Sequence, residues 1–384
     1  MHRPLEGVRV LDLSRLIPGP LATLVLADLG AEVDKVEDPH GGDYLRHTPP
    51  QVGEQSAAFL MLNRGKRSIV LDLKQPAGRD ALLRMLDRYD VLVEQFRPGV
   101  LARLGLPIEL LRERFPRLVI ASLTGYGQDG PLAKRAGHDL NYLARAGILG
   151  LQGPIEGAPQ APAFQLADVS GGLWLVIAIL AALRSRDATG QGASIDVAMI
   201  DSVLPFAVAQ LAPLAVGQAP ARGGEALTGG IAPYGVYATK DGRFVALGAL
   251  ETKFWQSFCA GVGLESDMSA MMSGPHQAEW KSKLAAIFAT RTRDEWAAFG
   301  AERDCCLEPV LEPHELRDDA HQAARAQWLT QSTPWGDSLQ FKLPVGTPRE
   351  EPAPAMGEHT TAILAEAGLD EAAIAALRSS GAAR

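Results

Sequence analysis

From Val8 to Leu123 the chain alternates short apolar runs with one-sided helical patterns, and that alternation limits it to an α/β fold. Val8-Arg9-Val10-Leu11-Asp12-Leu13 reads as a buried strand. Proline at the start and Gly30 past the end bracket a helix from Pro20 to Leu29, and Ala31 to Glu37 reads as a second strand. Two strands joined by a helix predict a parallel pair with a right-handed crossover. Strands are further predicted at Ile69 to Leu73, Asp90 to Phe96, Leu118 to Leu123 and Ala193 to Met199. A helix from Ala77 to Tyr89 carries an apolar stripe of Leu82, Leu83, Met85 and Leu86. The first turn, Ile17-Pro18-Gly19-Pro20, lacks the G-x-G-x-x-G pattern, which argues against a dinucleotide site.

At 384 residues the chain exceeds one ordinary core. The reading is a Rossmann-like large domain beginning with 1–217, a Gly/Ala/Pro-rich linker at 218–230, a small α+β domain at 231–312, and a C-terminal segment at 313–384. The small domain rests on a hairpin signal, Lys240-Asp241-Gly242 between Tyr234 to Thr239 and Arg243 to Gly248. Helical patterns cover 252–300, and Asp304 to Val310 reads as a closing strand. Beyond Pro313 the pattern predicts a helix, an extended Leu339 to Pro344, and a terminal helix opening at Gly357-Glu358-His359-Thr360 and ending near Leu377.

Lys and Arg total 37 against 45 Asp and Glu, so a general nucleic-acid or anionic-membrane partner is disfavoured, and an anionic ligand needs a local basic patch. Cys259, Cys305 and Cys306 are too few and too badly spaced for a disulfide framework or a Cys-rich metal site; no metal is expected. The longest apolar run, Leu173 to Leu183, falls short of the ~20 residues that span a bilayer. The opening MHRPLEGVRVLDLS reads as a turn and a strand rather than a signal peptide, so the expected location is cytoplasmic.

Three features carry chemistry. Asn63-Arg64-Gly65-Lys66-Arg67-Ser68 reads as a basic turn, and Lys74 and Arg97 end two strands of one sheet, with Arg103 a helical turn later. Ligands of open α/β sheets gather at the carboxyl ends of strands, so these cations are either a phosphate site or a solvated surface. His138 and Asp168 stand thirty residues apart, across a Gly/Pro/Ala/Gln-rich loop. Asp168 opens a helix running to Arg186, as an N-cap or as a reactive carboxylate. Gly171 and Gly172 destabilise that helix unless close packing or a ligand needs the room.

Taken together, in order and spacing, these residues resemble the family III coenzyme A-transferase superfamily over nearly the whole chain. Gly137-His138-Asp139, Asp168 and Leu250-Glu251-Thr252-Lys253-Phe254 make it more similar to the α-methylacyl-CoA racemase branch. Transferases of the superfamily typically keep the carboxylate matching Asp168 but not the histidine. The resemblance implies an interlocked homodimer and a C-terminal segment that returns to the large domain. It implies CoA contacts at Ile17, Pro18, Leu71, Asp72, Leu73, Lys74, Gln95, Phe96, Arg97, Arg103, Gly137, Asp139, Leu140, Asn141 and Tyr142. Where some members carry an arginine, this chain has Asp38-Pro39. No cofactor is expected beyond the CoA of the substrate.

The expected chemistry follows from α-carbon racemisation of an acyl thioester. A proton leaves one face and returns on the other, so two groups of near-neutral pKa must flank the carbon. Histidine titrates near neutrality, and burial holds a carboxylic acid protonated, which assigns the roles to His138 and Asp168. Glu251 is expected to orient His138, as the carboxylate of a triad does. Free N–H groups at the start of the Asp168 helix are expected to receive the enolate oxygen. The alternative is CoA transfer between carboxylic acids, with Asp168 as nucleophile through an aspartyl-CoA thioester.

Overall fold

The computed structural model describes residues 3–384. The described residues form two compact units, one of residues 3–146, 164–203 and 320–384, the other of 147–163 and 204–319. The stretch 218–230 thus lies inside the second unit, where Arg222 donates from Nε to the Pro154 carbonyl (3.0 Å) and from a terminal nitrogen to that of Gly157 (2.5 Å).

The first unit is built on six parallel strands: β1 (Arg9–Asp12), β2 (Glu32–Glu37), β3 (Lys66–Val70), β4 (Val91–Glu94), β5 (Val119–Thr124) and β6 (Ser194–Ala198). Their order is β3-β2-β1-β4-β5-β6, so the chain reverses direction across the sheet between β1 and β4. Val10, Leu11, Val91, Leu92, Val93, Val119 and Ile120 are fully buried, as strands covered on both faces require. The longer helices before the C-terminal segment are α1 (Pro18–Asp28), α2 (Ala57–Asn63), α3 (Pro76–Met85), α4 (Ile108–Arg114), α5 (Asp139–Arg145) and α6 (Leu166–Thr189).

Helix α6 is 24 residues, because Leu166 to Gly172 and Arg184 to Thr189 extend the eleven-residue apolar run at its two ends. By length and composition alone it could cross a bilayer, as could the segment Met199–Val216; here α6 packs on α1 and β5. Its glycines are explained by that packing. A Cβ on Gly172 would stand 2.6 Å from the carbonyl oxygen of Pro18, and one on Gly171 would stand 2.7 Å from Met199 Cγ.

Of the basic turn expected at 63–68, Asn63 ends α2, Arg64-Gly65 form the turn and Lys66 begins β3, but the cations are mostly buried rather than presented to a ligand. Arg64 and Asp28 form a pair 2.5 Å apart with both side chains fully buried. Lys66 Nζ donates to Pro20 O, Thr23 Oγ1 and Asn63 Oδ1. Arg67 bridges Asp34 and Glu366.

The C-terminal residues join this unit. The predicted helix after Pro313 is only a short turn at Pro313–Glu315 and a helix at Ala320–Ala324, and Trp328–Thr333 pairs with Gly336–Phe341 as a hairpin. The buried residues of that hairpin are Gln331, Ser338 and Gln340, so no apolar alternation announces it. The terminal helix is split into Thr360–Glu366 and Glu371–Ser379 around Gly368, which has φ +80°. The end of the chain closes the β3 side of the sheet: His359 N donates to Ser68 O, Val70 N to Thr360 Oγ1, and Leu71 bridges Ala383.

In the second unit β7 (Tyr234–Ala238), β8 (Phe244–Gly248) and β9 (Leu307–Pro309) form an antiparallel sheet with β8 central. Helices α7 (Thr252–Val262), α8 (Gln277–Phe288) and α9 (Arg293–Arg303) cover it around Trp255, Phe258, Phe288 and Trp296. The indole N–H of Trp255 donates to Asp267 O and that of Trp296 to Phe288 O, so the buried rings keep their hydrogen bonds.

Candidate active site

Two cavities open at the carboxyl edge of the parallel sheet, where a reversal of strand order leaves a crevice. Buried charge, rather than a glycine motif, shapes the turn from β1 to α1. The Asp12 carboxylate accepts from Ser14 N (2.8 Å) and Thr23 Oγ1 (2.6 Å). Lys35 Nζ reaches Ser14 O at 2.7 Å and Asp43 at 2.9 Å, and Asp43 in turn accepts from Leu16 N at 2.9 Å. Leu16 is thereby held at φ +66°, a left-handed conformation unusual for a bulky residue.

The first cavity, about 160 Å³, is lined by Pro18, Gln95, Phe96, Arg97, Gly137, His138, Tyr142 and Asp168 of the expected site. His138 comes from the N-cap position of α5, where its N–H donates to Asn141 Oδ1 (3.0 Å). Asp168 comes from the first turn of α6, whose N-cap is Gln165 and has no side-chain cap. The carboxylate is therefore not the local cap. It is half-buried, and burial first, then the neighbouring Asp139 carboxylate, pushes its pKa up to about 7. Tyr142 forms one wall, its hydroxyl donating to Gly137 O (2.5 Å) and its ring edge-on to Tyr126. A Cβ on Gly125 or Gly137 would collide with the Tyr142 ring, so these glycines make room for a wall residue.

The second cavity, about 250 Å³, is lined by Leu71, Asp72, Leu73 and Lys74 and shares Phe96 with the first. Asp72 Oδ1 accepts from Lys74 N (3.0 Å), a turn that leaves the exposed ammonium at the rim. Asp38 also lines this cavity and accepts from His40 N. Ile17, Arg103, Asp139, Leu140 and Asn141 line neither cavity. Glu251 lies in the second unit, at the N-cap position of α7 without capping it through its side chain.

One expectation is overturned. The N–H groups of Ala167 and Asp168 donate to Asp139 Oδ1, at 2.6 and 3.1 Å, and Val169 N donates to Gln165 O. Three donors at the start of α6 are already bonded, so they do not form the oxyanion hole expected of them. Sequence reasoning also missed Arg135, exposed at the first cavity two residues before Gly137. A larger cavity of about 800 Å³ lies at the opposite, amino edge of the sheet. Its arginines are already partnered: Arg9 and Arg67 with the Glu366 carboxylate, Arg88 with the Glu366 carbonyl, and Arg349 with the carbonyls of Ala27, Gly30 and Ala31.

A model of CoA-transferase family III matches residues 5–360. The chain belongs to CoA-transferase family III. It is 39% identical over 383 residues to human alpha-methylacyl-CoA racemase, covering 98% of this chain and 96% of the relative. It is 33% identical to human succinyl-CoA:glutarate CoA-transferase, covering 99% and 90%. Among solved structures, a CAIB/BAIF family protein from Brucella suis superposes with a TM-score of 0.83 at 30% identity, covering 96% of this chain and all of that one.

Proposed function

We propose that the protein is an acyl-CoA racemase that inverts the α-carbon of a 2-methylacyl-CoA thioester by two-base 1,1-proton transfer through an enolate. The observation that carries this reading is the placing of His138 and Asp168 on one cavity, with Asp168 near pH 7. A racemase needs its pair to hold one proton in total, on either partner. A carboxyl at its ordinary pKa would leave that proton almost wholly on an imidazole. Raising Asp168 lets the carboxyl hold a proton near neutral pH, as the acid partner of the pair must.

The pH dependence of kcat/KM is therefore a bell about neutrality. Activity falls on the acid side as the pair gains a second proton and on the alkaline side as it loses its last. The two enantiomers share one profile, since their interconversion equilibrium is independent of pH. A chiral assay run from each enantiomer checks this; a plateau extending well below pH 5 would sink it. The decisive experiment is incubation of one enantiomer of a 2-methylacyl-CoA in deuterated water, which exchanges the α-proton and yields both enantiomers. CoA movement to a free carboxylate acceptor without exchange would establish the alternative, a transferase with Asp168 as nucleophile. The transferase relative favours keeping that alternative in the assay.

Arg97 and Arg135 are exposed at the first cavity, and Lys74 at the rim of the second. They would hold the phosphates of CoA, with the acyl chain over the wall that includes Tyr142. Arg97→Ala and Arg135→Ala should each raise Kd for a CoA thioester about tenfold at low salt, and less at high salt. Calorimetry showing no change at low salt would remove the arginine concerned from the phosphate site. The reading extends to a cytoplasmic, interlocked homodimer in which Glu251 orients His138 and no cofactor or metal beyond CoA is used. Exposed Leu173 and Ile177 on α6, and Phe206, Val208, Leu214 and Val216 in the second unit, support a partner covering these faces.

A further inference from the structure

We propose that Asp139 is a positioning residue that staples the helix carrying His138 to the helix carrying Asp168 and sets its own charge beside the Asp168 carboxyl. Its backbone follows His138 directly, while its carboxylate accepts hydrogen bonds from the N–H groups of Ala167 and Asp168, at 2.6 and 3.1 Å. One buried side chain thus fixes the start of α5 against the start of α6, the two points from which His138 and Asp168 enter the cavity. The inference rests on the racemase reading for its consequence, although the staple itself does not.

The local sequence makes the staple necessary. Helix α6 begins without a capping side chain at Gln165, so its first N–H groups need an acceptor from elsewhere. An ordinary N-cap would satisfy them from within the chain and leave the spacing of α5 and α6 to side-chain packing alone. The acceptor used instead is an anion beside the reactive carboxylate. The same group therefore does two things: it fixes geometry through hydrogen bonds and disfavours the ionised form of Asp168 through charge. The other charged or titratable groups at the cavity are His138 and Tyr142 from α5, Tyr126 and Arg135 from the chain after β5, and Arg97 from the chain after β4.

Two variants separate the effects. Asp139→Asn keeps an oxygen able to accept from both N–H groups and removes the charge. Its kcat/KM profile should move to lower pH, both limbs with it because both belong to the pair, with kcat at the new optimum within about threefold of wild type. Asp139→Ala removes the acceptor as well, and kcat should fall about 100-fold with little change in KM, the scale of loss when reacting groups shift by about an ångström. In parallel, the Asp168 carboxyl is titrated without substrate by infrared difference against Asp168→Asn, in wild type and in Asp139→Asn. A downward shift supports the proposal. An unshifted Asp168 titration overturns it, as does a folded Asp139→Ala variant with wild-type kcat, or an Asp139→Asn variant as inactive as the alanine one. Should the alanine variant fail to fold, the asparagine variant and the titration decide alone. Should wild type show no α-proton exchange, the racemase reading falls, and the titration still tests the effect of the Asp139 charge on Asp168.

Discussion

Replacing His138 with alanine should leave an enzyme that exchanges one enantiomer and inverts neither. With two bases on opposite faces of the α-carbon, each enantiomer presents its proton to only one of them. Removing the imidazole stops deprotonation of the enantiomer facing it, by about 10²–10⁴-fold. The enantiomer facing Asp168 can still lose its proton to the carboxylate and recover deuterium from it on the same face. Label then enters without change of configuration, while inversion falls from both directions. Asp168→Asn should give the mirror image. His138 is exposed, so its loss should leave the thermal midpoint nearly unchanged, and weakened exchange cannot be assigned to unfolding. Mass spectrometry combined with chiral separation measures both quantities. Equal residual exchange from the two enantiomers would contradict the two-base arrangement, and full activity would remove His138 from the mechanism.

The largest expected loss of stability lies away from the cavities. Arg64→Ala should cost about 3–5 kcal/mol, because it strands the Asp28 carboxylate beneath the sheet. Both side chains are inaccessible to solvent, and the guanidinium also donates to Met61 O. Desolvating two charges offsets much of their mutual attraction, so the pair is a weak source of net stability while a single survivor is a large liability. Replacing both with apolar residues of similar size, Arg64→Met with Asp28→Leu, should recover much of the loss. Urea denaturation of the two variants and wild type tests this; a single variant with an unchanged midpoint would mean that water reaches Asp28.

Arg64 also marks what the sequence conceals. Strands β1, β4 and β5 were legible because both faces are covered and the runs are continuously apolar. The hairpin of the second unit was legible because Lys240-Asp241-Gly242 prescribes a turn. The buried ionic layer under β1, β2 and β3 was not, since Arg64, Lys66 and Lys35 look in one dimension like any solvated cations. Only the fold brings Asp28, Asp12 and Asp43 to them. At the candidate site, His138 and Asp168 were singled out by chemistry and resemblance, and of the two reasons offered for Gly171 and Gly172, close packing or a ligand, packing is the one observed. Gly171 and Gly172 serve helix packing, and Gly137 serves Tyr142. The role of Asp139 was hidden because its partners are backbone N–H groups 28 and 29 residues away. A helix opening on glutamine with no capping side chain was the available clue.

The return of residues 320–384 to the first unit has a consequence for how the chain reaches this structure. The second unit is complete once residue 319 has left the ribosome, with its sheet and helices close in sequence. The first unit is not, because the edge of its sheet at β3 waits for His359, Thr360, Ala382 and Ala383, some three hundred positions downstream. Contacts of such separation slow folding, since long loops must close before they are rewarded. The first strands synthesised are therefore among the last to be finished. Until then an apolar sheet with an open edge depends on the nascent chain staying clear of other strands.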